Sequence, residues 1–86
     1  MFVLELALTD DPRRLAARPA HRELVARQRE EGVVVMAGPF ADDTGAFVVF
    51  DVPDAATLDR VIAEDEYYTA PGVTVVREVE WAPIVG

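Results

Sequence analysis

The sequence predicts an α+β fold in the order β-α-β-β-α-β. Three observations lead there: period-two apolar alternation opens and closes the chain, two apolar β-branched runs lie back to back in its middle, and stretches of helical spacing separate them. Apolar residues make up 51% of the 86 and charged residues 28%, so one small globular domain spanning 1–86 is expected, with apolar surface left for an interface.

Phe2 to Leu8 alternates, with Phe2, Leu4, Leu6 and Leu8 on one face and Val3, Glu5 and Ala7 on the other, as in a half-buried strand. Asp10-Asp11-Pro12 breaks it, and Arg13 to Arg18 reads as a turn of helix or an ordered loop. Pro19 suits the first position of a helix, where a missing N–H costs nothing. The first helix is therefore expected from Pro19 to about Glu31, with Gly32 as its left-handed stop. Its stripe is Leu24, Val25 and the stem of Gln28, and His21 shares that stripe three and four residues earlier.

Val33 to Ala37 is a continuous β-branched run, the second strand, ended or bulged by Gly38-Pro39. Asp42 to Gly45 makes a hairpin turn into a third strand, Ala46 to Phe50. Asp54 is the N-cap of a second helix with the stripe Leu58, Val61, Ile62 and Asp65. Tyr67 to Gly72 forms a loop, and Val73 to Trp81 alternates as the fourth strand.

This order is that of the ferredoxin-like split β-α-β arrangement, an antiparallel four-stranded sheet with both helices on one face. Its pseudo-twofold axis makes the helices antiparallel, so the start of one neighbours the end of the other. His21 and Asp65 should then meet. Each stands at the electrostatically unfavourable end of its expected helix, a local conflict typical of sites.

Composition narrows the chemistry. The net charge of −8 opposes nucleic acid and acidic lipid surfaces as partners, and all eight cations are arginine. Without cysteine there is no thiolate catalysis and no disulfide; without serine there is no serine triad. One histidine with scattered carboxylates offers no metal-ligand spacing, and no glycine-rich phosphate loop is present, so neither metal nor cofactor is expected. No apolar run is long enough to span a bilayer, and the short N-terminal run carrying Glu5 reads as a strand, so a cytoplasmic protein is expected. His21 is the one side chain whose ordinary pKa suits proton transfer near neutrality.

Arg18-Pro19-Ala20-His21, then Glu30-Glu31-Gly32 and Ala37-Gly38-Pro39, then Asp65 followed by Tyr67 and Gly72-Val73, together resemble the YciI-like, or YCII-related, family over nearly the whole chain. The resemblance implies a dimeric α+β barrel, in which two ferredoxin-like sheets pack face to face, and a His-Asp pair as the active site. It assigns His21 and Asp65 to that pair and Arg18 to the family's arginine. Glu66 stands where the family usually has proline.

Val3, Ala7 and Val76 are expected on the helix-free sheet face, the surface of a homodimer, with Glu5, Glu78 and Glu80 at its rim; Arg77, alternating with Val75 and Val79, is expected on the buried side as a charge without an evident partner. Tyr67 is expected to hydrogen-bond a substrate, or else to cover a helix end with Tyr68. The expected function is a cofactor-independent, lyase- or isomerase-like proton transfer on a small, cyclic or aromatic organic substrate. The alternative is a non-catalytic dimeric module that binds a small molecule, or an accessory subunit.

Overall fold

A computed structural model describes residues 1–86. Its strands are β1 (Phe2–Leu8), β2 (Val34–Pro39), β3 (Gly45–Phe50) and β4 (Val73–Glu80), and its helices are α1 (Pro12–Glu30) and α2 (Ala55–Ala63). A 3-10 turn, Glu66–Thr69, follows α2. The strands form one sheet in the order β2-β3-β1-β4 with every pair antiparallel, the ferredoxin-like arrangement.

One face of the sheet carries the core. Phe2, Leu4 and Leu6 of β1 meet Phe50 and Val48 of β3 and Val34 of β2, and Leu58 of α2, Val52, Tyr67 and Tyr68 close over them. Ala17 and Val25 of α1 and Val61 and Ile62 of α2 pack against this cluster, as their helical spacing dictates.

The first helix starts seven residues earlier than the proline rule suggests. Asp11 is its N-cap, accepting the Arg13 N–H at 2.9 Å, and Pro12 takes the first helical position. Pro19 lies inside the helix, where it removes one intrahelical hydrogen bond. An inward stripe continuous on both sides of it, buried at Arg14 and Gln28 and half-buried at Ala17, His21 and Val25, compensates. Gly32 follows the helix with φ +81°, the left-handed stop expected of it.

Three strand-level expectations need correction. The second strand begins at Val34 and includes Gly38 and Pro39, because Pro39 lies on an edge strand where no ladder N–H is needed. A bulge between Glu5 and Leu6 leaves Val76 as an extra residue in β4, without a register partner. Glu78 and Glu80 consequently oppose Leu4 and Phe2, on the helical side of the sheet and not at the rim of the helix-free face. That face carries Val3, Glu5, Phe47 and Val49, and the same shift moves Arg77 and Val79 onto it from the buried side expected of them, Arg77 directly opposite Glu5 and Val79 opposite Val3.

Gly72 ties the fourth strand to the start of α1. It holds φ +93°, and a Cβ there would lie 2.7 Å from Cβ of Asp11 and 2.9 Å from Oγ1 of Thr9. Its carbonyl accepts the Thr9 N–H.

Candidate functional site

His21 and Asp65 meet where α1 passes the end of α2, and each is held by its own local structure. Asp65 lies two residues beyond α2 and caps the 3-10 turn, its Oδ1 accepting the Tyr67 N–H at 3.0 Å. Its Oδ2 lies 2.6 Å from His21 Nδ1. The Asp65 side chain is buried and His21 is 13% exposed, so the contact is shielded from water.

Neither group stands in the terminal turn expected from the sequence. His21 is in the middle of α1 and Asp65 is outside α2, so the proposed clash with the helix dipoles does not arise. What brings the pair together is the topology alone.

A carboxylate only accepts hydrogen bonds, so Nδ1 is the donor in this contact. In the neutral ring the proton is then on Nδ1, and Nε2, which makes no hydrogen bond within the protein, carries a free lone pair. Tyr67 stacks on the imidazole at 4.1 Å with an interplanar angle of 14°, and Tyr68 meets it edge-on at 5.3 Å. The ring is fixed on three sides.

Arg14 anchors this arrangement from below. Its side chain is 1% exposed, its Nε donates to the Thr9 carbonyl, and its Nη1 donates to the Tyr67 hydroxyl at 3.1 Å. Sequence reasoning missed it, because a helix starting at Pro19 leaves Arg14 in a loop. Once the helix starts at Pro12, Arg14 lies two turns before His21 on the same stripe. Tyr68 is the odd partner: its hydroxyl is buried without a hydrogen bond, and burial, with the Asp65 and Tyr67 charges adding to it, pushes its pKa above the ordinary value.

A cleft of about 500 Å³ opens between α1 and the β2–β3 strands. His21, Arg18 and Tyr67 all line it; Asp65 stands behind His21 and does not. The opposite wall is apolar, from Leu6, Leu8, Ala46 and Val48. No group of three His, Asp or Glu side chains converges to hold a metal ion, and no helix is long and apolar enough to cross a membrane.

The family model described as YCII-related domain matches residues 1–82 of the chain. No curated protein and no solved structure matches it.

Proposed function

The chain belongs to the YCII-related domain family, and from that premise we propose that it is a cofactor-independent enzyme in which His21 moves a proton on a small organic substrate bound in the α1 cleft. The observation that carries the reading is the 2.6 Å His21–Asp65 contact through Nδ1 in a histidine that lines the cleft and whose Nε2 has no partner in the chain. Asp65 holds the ring in the tautomer with Nε2 unprotonated and stabilises the imidazolium once Nε2 has taken a proton. Arg18 and Tyr67 flank the substrate. Return of the proton to another atom gives an isomerase; departure of a neighbouring leaving group with its electron pair gives a lyase.

The protein acts as a homodimer. The helix-free face presents Val3, Met36, Phe47, Val49, Val79 and Trp81 around one groove, with Met36 65% and Phe47 46% exposed in the single chain. An apolar patch of that kind is covered by packing against a second copy. Glu5 and Arg77 oppose each other on the same face without an ion pair, which leaves both free for a partner chain.

Exchange in D2O tests the chemistry without knowledge of the natural substrate. Enolisable cyclic and aromatic acids incubated with the protein should exchange the proton next to the acidifying group, followed by NMR, and His21→Ala should remove the exchange. A panel that exchanges equally with wild type and His21→Ala contradicts the reading.

A second reading has one observation in its favour. Both Asp65 oxygens are engaged inside the protein, so the pair also clips the 3-10 turn to α1, as a non-catalytic small-molecule-binding module would need. In that case His21→Ala lowers stability and leaves nothing else to lose.

A further inference from the structure

The cleft-facing side of α1 is cationic in a chain that is otherwise acidic. Arg14, Arg18, Arg22 and Arg29 line the cleft, four of the eight cations, against one of the sixteen acids, Asp43. Arg14, Arg18 and Arg22 succeed one another at four-residue spacing, so like charges stack along one face and destabilise the helix. Only the long Arg14–Asp10 contact relieves this. Arg18, Arg22 and Arg29 have no carboxylate within 4 Å, and the buried Arg14 has an Nη2 without a hydrogen-bond partner, its nearest acid being Asp10 at 3.9 Å.

We infer that the cleft takes an organic carboxylic acid, its carboxylate held by Arg18 and Arg22 and its apolar body against Leu6, Leu8, Ala46 and Val48. The inference rests on the reading of this cleft as the substrate site and narrows the substrate to one class. Arg18 precedes His21 by one turn and Arg22 follows it directly, so a carboxylate between them brings its neighbouring carbon to His21 Nε2. Removal of a proton from that carbon breaks the C–H bond, sends its electron pair into the enolate of the acid, and places the proton on Nε2. The enolate of a carboxylate carries an additional negative charge, which the guanidinium pair stabilises as it forms.

A carboxylate fits better than a phosphate. Arg18, His21 and Arg22 stand mid-helix, where backbone N–H groups are already bonded, so this part of the cleft offers guanidinium forks without the backbone cradle typical of phosphate sites. The apolar wall calls for a hydrocarbon body.

Phenylacetate, its neutral analogue phenylacetamide and inorganic phosphate provide the test, titrated into the full chain with the single histidine followed by proton NMR. Phenylacetate should give a saturable shift, and the amide and phosphate should each bind at least about tenfold more weakly. Arg18→Gln and Arg22→Gln should each weaken phenylacetate about tenfold, while Arg60→Gln on α2 should leave it unchanged. No saturable shift with phenylacetate, equal binding of the amide or of phosphate, or unchanged affinity in both cleft variants would overturn the inference. Loss of acid selectivity beside an intact His21–Asp65 contact overturns the substrate class alone; selective binding of acids without proton exchange overturns the proton-transfer reading alone.

Discussion

Tyr67 and Tyr68 are adjacent, equally buried and opposite in what their hydroxyls do. The Tyr67 hydroxyl accepts from Arg14, so Tyr67→Phe leaves a buried guanidinium donor unpaired and should cost about 1–3 kcal/mol in urea unfolding. The Tyr68 hydroxyl has no partner, so Tyr68→Phe should be neutral or stabilising in the same assay. Burial raises the Tyr68 pKa above its ordinary 10.0, which means the folded state holds the phenol proton longer than the unfolded state does. Its contribution is therefore complete below pH 10 and is lost as pH rises beyond it, and Tyr68→Phe should flatten the alkaline decline in stability. Asp65→Asn separates structure from chemistry: the amide oxygen can still cap the Tyr67 N–H, while its NH2 group no longer accepts from Nδ1. The variant should fold and should lose activity by about 10²–10⁴-fold in the D2O exchange assay.

At the scale of elements, α1 is where local rules gave the wrong boundary. Pro12 and Pro19 both fit a first helical position, and only tertiary packing decides between them. The deciding residue is Arg14, whose burial depends on Thr9 and on Tyr67, 53 positions away, which no local window contains. Because the helix is continuous through Pro19, Pro19→Ala restores a hydrogen bond to the Leu15 carbonyl and should stabilise by about 1–2 kcal/mol, read by thermal unfolding. No gain would mean that the helix starts at Pro19. The caps titrate in acid. The Thr57 side chain, then its backbone N–H, holds the Asp54 carboxyl below its ordinary value, and the Arg13 side chain, then its N–H, does the same for Asp11. Depressed carboxyls stabilise above the unfolded value of 3.8 and lose that contribution as pH falls below it, so Asp54→Asn should flatten the acid limb of the stability profile.

At the scale of the molecule, the order of elements was legible because alternation in β1 and the apolar runs of β2 and β3 answer to burial of one sheet face. The topology also brought His21 to Asp65, although the dipole conflict inferred for them was absent. The β4 bulge was not legible: one unpaired residue, Val76, moves Glu78 and Glu80 to the other face, and nothing in the alternation of Val73–Glu80 marks where the register shifts. Arg77 thereby leaves the buried side for an exposed position opposite Glu5 on the helix-free face. If the helix-free face is the dimer surface, light scattering should give about twice 9.4 kDa, and Phe47→Asp should yield a folded monomer. A wild-type monomer at micromolar concentration would remove the barrel.

Asp65 decides which nitrogen of the imidazole is left bare, and the nitrogen resonances of the single histidine report it directly. A proton-nitrogen correlation spectrum of the neutral ring should show the proton on Nδ1 and Nε2 bare, and in Asp65→Asn that preference should disappear or reverse. A wild-type ring protonated on Nε2, or one whose tautomer is the same in Asp65→Asn, would contradict the central claim, because His21 would then have no prepared base facing the cleft.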